Sequence, residues 1–172
     1  MENRFNKSLA RVNSRMVMVE NSDKSSKRAH RHRSRQLVVQ FLYMWDATGD
    51  DDWENLLDDF FEIYVKEARA DYAFTDELIA GFFEHHDAID ELIESHTQNW
   101  AFNRIGRTDL AILRLAVYEL FYRKDIPPIV SINEAIDLSK EFSGPEAKRF
   151  INGILDRIKE KVNRPLRDPE VQ

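Results

Sequence analysis

Cysteine is absent from the 172 residues, which excludes a disulfide framework, a thiolate zinc site and a cysteine nucleophile. Glycine and proline are scarce, five of each, so collagen-like and low-complexity disordered chains are excluded as well. The glycines, at 49, 81, 106, 144 and 153, are never closer than nine residues, and neither a dinucleotide fingerprint nor a phosphate-cradling loop can be written from them. No stretch approaches the roughly 18 apolar residues of a membrane span. The apolar cluster Met16 to Val19 is too short for a secretory signal. These absences lead to the expectation of a soluble, cytoplasmic protein with no membrane partner. What is present, 42% hydrophobic and 33% charged residues, fits a single, mostly helical domain with a tail.

The net charge of −6 conceals its distribution. Residues 1–35 hold ten lysines and arginines against three acids, a net of +7, which leaves −13 on the remaining 137 residues. A basic arm on an acidic body points to a polyanion, with nucleic acid as the leading candidate. A solvated, disordered tail is the plainer alternative.

Residues 1–27 lack apolar periodicity and are expected to be a disordered, mobile basic extension. From about Arg31 the pattern changes: Leu37, Val38, Phe41, Leu42 and Trp45 recur at helical spacing. Arg31, Arg33 and Arg35 would occupy the first turns of that helix, where the helix dipole disfavours cations, so stability alone would not select them. Asp51, Asp52 and Glu54 open a second helix carrying Trp53, Leu56, Leu57, Phe60, Ile63 and Tyr64. Thr75 is expected to cap a third, with a break before Ile89. Thr108 is expected to cap a fourth over Asp109 to Tyr122. Ser131 to Glu134 and Ser143 to Glu146 have capping-box spacing ahead of the last two helices. The final stripe, Ala147, Phe150, Ile151, Ile154, Leu155, Ile158 and Val162, is strongly helical. The expected fold is all-α, a compact bundle of about seven helices, with boundaries at 1–27, 28–165 and a tail at 166–172.

Catalytic patterns are missing. A two-metal helical site needs Glu-x-x-His pairs, and the residues three before His85, His86 and His96 are Phe82, Phe83 and Ile93. His85 and His86 are adjacent, point in different directions on a helix, and read as a surface pair. No metal, cofactor or catalytic residue is expected.

Three segments in order carry a resemblance. The first runs Arg31-His32-Arg33-Ser34-Arg35-Gln36-Leu37 through Gln40-Phe41-Leu42-Tyr43-Met44-Trp45. The second is Arg107-Thr108-Asp109-Leu110 through Val117-Tyr118-Glu119-Leu120. The third extends from Pro127-Pro128 through Ile132-Asn133-Glu134-Ala135 to Phe150-Ile151-Asn152-Gly153-Ile154-Leu155-Asp156. Over about residues 28–160 the chain resembles the NusB family of bacterial transcription antitermination factors. The resemblance implies an all-helical, non-enzymatic domain that binds boxA-type RNA of ribosomal RNA leader transcripts. It further implies the small-subunit ribosomal protein that acts as NusE as partner, within an antitermination complex with RNA polymerase.

Carried over by position, the family's arginine-rich motif falls on Arg31, Arg33 and Arg35. His32 stands where an arginine is common, and Arg28 precedes the motif in the same basic segment. The second RNA-contacting region falls on Glu146, Arg149 and Phe150, and the partner-facing positions on Tyr43 and Asp109. Phe150 has two readings, a base-stacking ring or the start of the last helix's core stripe. Gly153 is expected to permit close approach of a neighbouring helix. A module whose basic arm binds acidic proteins is the rival from another class.

Overall fold

Apolar residues at helical spacing, with few residues that interrupt a helix, favour helices throughout. The computed structural model describes residues 2–97 and 102–169, with side chains from residue 23 onward. Among the described residues there are six α-helices and no strand: α1 (Glu2–Thr48), α2 (Trp53–Asp59), α3 (Ala73–His96), α4 (Arg107–Tyr122), α5 (Pro128–Phe142) and α6 (Pro145–Ile158). A π turn, Phe60–Val65, prolongs α2, and short 3-10 turns lie at Arg69–Tyr72, Phe102–Arg104 and Lys159–Lys161. None of these described helices is long and apolar enough to cross a membrane. The count is one below the expected seven because α3 runs unbroken past Ile89, no proline interrupting its hydrogen bonds.

The chain divides into two compact units, residues Met1–Arg33 and Ser34–Gln172. The division falls within α1, six residues after the expected boundary at 27. The extension expected over residues 1–27 lies mostly on residues 1–22, whose side chains are outside the described residues. Because α1 starts at Glu2 rather than near Arg31, the basic residues sit in a helix interior. The helix dipole therefore does not oppose them there, since its effect fades within the first turn.

In the second unit α4 is the central element: every residue from Leu110 to Leu120 is buried, and α3, α5 and α6 all pack on it. A helix apolar on all sides belongs in an interior. Leu37, Phe41 and Leu42 of α1 join Phe82 and Ile89 of α3, Leu113 and Leu120 of α4, and Ile151 and Leu155 of α6 in one core. Each such side chain contributes about 1.5–3 kcal/mol by burial. Gly81 lets α3 and α4 approach, because a Cβ there would fall 1.8 Å from Tyr118 Oη. Gly153, expected to serve that purpose, faces open space with nothing within 4 Å of a built Cβ.

Asp52 caps α2, accepting from the Asn55 amide at 3.2 Å. The other expected caps are not formed. The N-cap positions of α3, α4, α5 and α6 are Tyr72, Gly106, Pro127 and Gly144, none with a side-chain cap bond. Three of the hydroxyls serve distant partners instead: Thr75 Oγ1 donates to the Ser34 carbonyl, Ser131 Oγ to Glu119 and Ser143 Oγ to Asp109. Proline at the first helical turn supplies the start of α5 and α6, where its missing N–H costs nothing.

Candidate nucleic-acid interface

In the first unit, Arg28 and Arg31 on α1 are exposed, and His32 and Arg33 are half-buried. Lys27 pairs with Asp23 at 2.9 Å, a surface contact one turn apart that contributes little. Arg31 and Arg33 are the members of the arginine triplet that fall in this unit.

Arg35, in the second unit, is buried, contrary to the surface role assigned to it by position. Its Nε donates to Glu119 Oε1 at 2.7 Å and its Nη2 to Oε2 at 3.2 Å, while Nη1 stands 3.6 Å from Glu134 Oε2. Ser131 Oγ donates to Glu119 Oε2 at 2.6 Å. One guanidinium thus joins α1 to α4 and α5. Its planar fork fits the carboxylate bidentately, and burial requires that pairing, because an uncompensated interior charge is costly. Arg35 cannot offer its guanidinium to a phosphate without breaking this cluster.

Four of the remaining expected residues, Asp109, Glu146, Arg149 and Phe150, meet at one place. The N-terminal ends of α4 and α6, with the Phe102–Arg104 turn, enclose a pocket of about 510 Å³ lined by Arg104, Ile105, Asp109, Glu146, Arg149 and Phe150. Glu146 and Arg149 are exposed, and Asp109 is half-buried. Phe150 packs against the core cluster and also lines the pocket. Asp109 Oδ1 accepts from Ser143 Oγ at 2.7 Å, which fixes the carboxylate against the turn between α5 and α6. Among the described residues, the side chains of Arg104, Glu146 and Arg149 form no ion pair or hydrogen bond. Arg104 was not reached from sequence, since one arginine in a connection carries no pattern.

Tyr43 stands on α1, 45% exposed. Beyond it, Asp46 accepts from Arg107 Nε at 3.2 Å and Arg114 Nη1 at 3.0 Å, tying the end of α1 to α4. Arg114 is buried, donates to both oxygens of Asp90 at 2.8 and 2.7 Å, and lies 5.2 Å over the Trp45 ring. Burial pushes the Asp90 carboxyl up, but hydrogen bonds from Arg114 and His86 outweigh it and hold the group below its ordinary value. Burial likewise works against the Arg114 charge, and Asp90 and Asp46 more than offset it. His85 and His86, expected as a surface pair, are half-buried. His85 stacks on Tyr122 with ring centroids 3.7 Å apart, and His86 contacts Asp90 at 3.2 Å. Among the described residues no group of three or more His, Cys, Asp or Glu side chains could hold a metal ion.

Among the described residues the fold is all-helical, with basic residues on its first helix and a pocket lined by Arg104, Asp109, Glu146, Arg149 and Phe150 at the start of its last. The NusB family description matches residues 32–160. The chain is 41% identical over 140 residues to the transcription antitermination protein NusB of Myxococcus xanthus, covering 81% of this chain and 99% of that one. It is 40% identical to its counterpart from Methylacidiphilum infernorum over 128 residues, 74% and 89% of the two chains. Among solved structures, T. maritima NusB aligns with a TM-score of 0.69 at 34% identity, covering 78% of this chain and 93% of that one. A chain of the complex of antitermination factors NusB and NusE with dsRNA aligns with a TM-score of 0.68 at 27% identity, covering 77% and 97%. The chain belongs to the NusB family of transcription antitermination proteins.

Proposed function

We propose that this chain is a non-enzymatic, cytoplasmic RNA-binding antitermination factor. It binds boxA-type RNA of ribosomal RNA leader transcripts together with the small-subunit ribosomal protein acting as NusE, and so promotes read-through by RNA polymerase. The observation that carries the reading is the likeness to a chain of the complex of antitermination factors NusB and NusE with dsRNA, over nearly the whole of that chain. The functional domain in this reading is residues 28–165, with 1–27 as a basic extension and 166–172 as a tail.

Binding is electrostatic and by stacking. Arg28, Arg31, His32 and Arg33 supply cations or hydrogen-bond donors to phosphates in the first unit. In the second, Arg149 does the same and Phe150 offers its ring to an unpaired base. Arg35 supports the fold. Tyr43 and Asp109 face the protein partner.

The test is titration of the full chain, with and without the ribosomal protein, against boxA-like RNA and a scrambled control. Tighter binding of boxA-like RNA is expected, strengthened by the partner. Neutralising Arg31 and Arg33 together should weaken binding and reduce the salt slope by up to about 0.7 per lost single-strand phosphate contact. Equal affinity for the scrambled RNA, or an unchanged slope, refutes the reading.

A further inference from the structure

We infer that the stretch of α1 from Lys24 to Arg31 binds the phosphate backbone of an RNA duplex that flanks the single-stranded boxA-type element. The inference rests on the RNA-binding reading above and adds to it a second form of RNA and two residues, Lys24 and Lys27, that lie before the family match, which begins at residue 32.

Lys24, Lys27, Arg28 and Arg31 stand at i, i+3, i+4 and i+7, the spacing that puts four side chains on one face of a helix. The helix α1 runs through all of them, and all four are exposed. Between Asp23 and Arg33 the only apolar residue is Ala29, so this part of α1 is polar all round and has no stripe to bury in a core. Like charges one turn apart also repel one another. Asp23 is the one acid in this stretch, and its pairing with Lys27 at 2.9 Å is an exposed contact that is readily exchanged for another anion. A helix built in this way gains stability from a polyanion laid along it. The net −13 on residues 36–172 opposes such a ligand on the remainder of the chain.

Charge density separates the two forms of RNA. At about 1.5 Å per residue the four cations span about 10 Å of helix axis. A nucleic-acid duplex carries about one phosphate charge per 1.7 Å of its axis and each of its strands about one per 3.4 Å, hence about six against three over that length. The duplex offers every cation a phosphate, on two backbones held at a fixed separation that a straight helix can follow. A flexible single strand must be immobilised as well, which proteins achieve by stacking its bases on aromatic rings, and residues 23–36 hold no Phe, Tyr or Trp. Contacts to the backbone carry no base information, so this stretch adds affinity without sequence preference.

The experiment titrates the full chain, at rising salt, against boxA-like RNA alone and against the same RNA extended by a short hairpin. The extended RNA is expected to bind more tightly at low salt, its slope of log affinity on log salt steeper by about 0.9 for each further phosphate neutralised. Lys24→Gln combined with Lys27→Gln is expected to remove about two of those contacts, so that an about fourfold rise in salt weakens its hold on the extended RNA about tenfold less than it weakens that of wild type. The same variant should bind the unextended RNA as wild type does and unfold at the wild-type midpoint, because both side chains are exposed. A wild-type chain that gains nothing from the hairpin, or a variant that loses affinity equally for both RNAs, overturns the duplex site and leaves the RNA reading standing. Loss of ribosomal-protein binding in the variant, with both RNAs held as by wild type, assigns the stretch to the protein partner and likewise overturns the inference. Failure of the wild-type chain to bind either RNA overturns the inference and the reading together.

Discussion

At the junction of α1, α4 and α5, Arg35 is 3% exposed and its guanidinium is filled by Glu119. At the pocket between α4 and α6, Arg149 is exposed and its side chain is bonded to no other among the described residues. The two arginines differ in what surrounds them rather than in chemistry. The first is removed from water in the fold and bonded to a carboxylate 84 residues away in the chain. The second keeps its hydration and can exchange it for a phosphate. An arginine in a basic motif is therefore a binding residue only where the fold leaves it no interior acid.

Breaking the first site should have the largest effect. Arg35→Ala leaves Glu119 buried without its cation and should cost about 3–5 kcal/mol, read as a lower urea midpoint. Arg149→Ala, by contrast, should change stability by no more than about 0.5 kcal/mol while weakening RNA binding. If Arg35→Ala unfolds at the wild-type midpoint, the buried cluster does not hold the helices together and the distinction between the two arginines fails.

The next effect is steric. Gly81→Ala places a Cβ 1.8 Å from Tyr118 Oη, so Tyr118 or one of the helices must move. Overpacking of this kind costs about 1–3 kcal/mol. Tyr118→Leu in the same chain should recover part of the loss, and thermal unfolding of the single and double variants measures the coupling.

Much of the architecture was legible because α4 and α6 carry unambiguous helical stripes and because the arginine helix, α4 and the α5–α6 segment match the family in order. The caps were not legible. Ser131 and Ser143 have the local spacing of N-caps, but Glu119 and Asp109 lie close to them only after folding, and the distant bonds take the hydroxyls. The burial of Arg35 is hidden for the same reason, its acid lying on a helix far along the chain. A usable signal was present on the partner helix, since Arg114 and Glu119 interrupt an otherwise apolar run from Leu110 to Leu120. A charge inside such a run must find an opposite charge on a neighbouring element. The pocket was half legible: its residues were named from two separate expectations, RNA contact and partner contact, and only the fold unites Asp109 with Glu146, Arg149 and Phe150.

The Arg114 cluster extends the comparison to acid. Asp90 titrates below its ordinary value in the folded chain, so its contribution is present above the unfolded carboxylate pKa of about 3.9 and is lost as pH falls through the lower folded value. Asp90→Asn should therefore destabilise the protein near neutrality and narrow its difference from wild type below about pH 4. Unfolding midpoints measured from pH 7 to 2 check the convergence, and a gap that stays constant with pH excludes the pairing as its source.

The smallest effect has the opposite sign and bears on the exposed side of the comparison. Gly153 lies inside α6, one turn beyond Arg149 and Phe150 on the same face, with open space where a Cβ would stand. Alanine there should raise stability by about 0.5–1 kcal/mol, since glycine in a helix interior is disfavoured by that amount and nothing in the fold requires it. A glycine kept at that cost makes sense if the RNA approaches the helix backbone beyond Arg149. In that case Gly153→Ala should be more stable and bind RNA less tightly, the two measurements moving in opposite directions. If stability rises and RNA affinity stays level, the contact surface ends at Phe150 and Gly153 has no part in it.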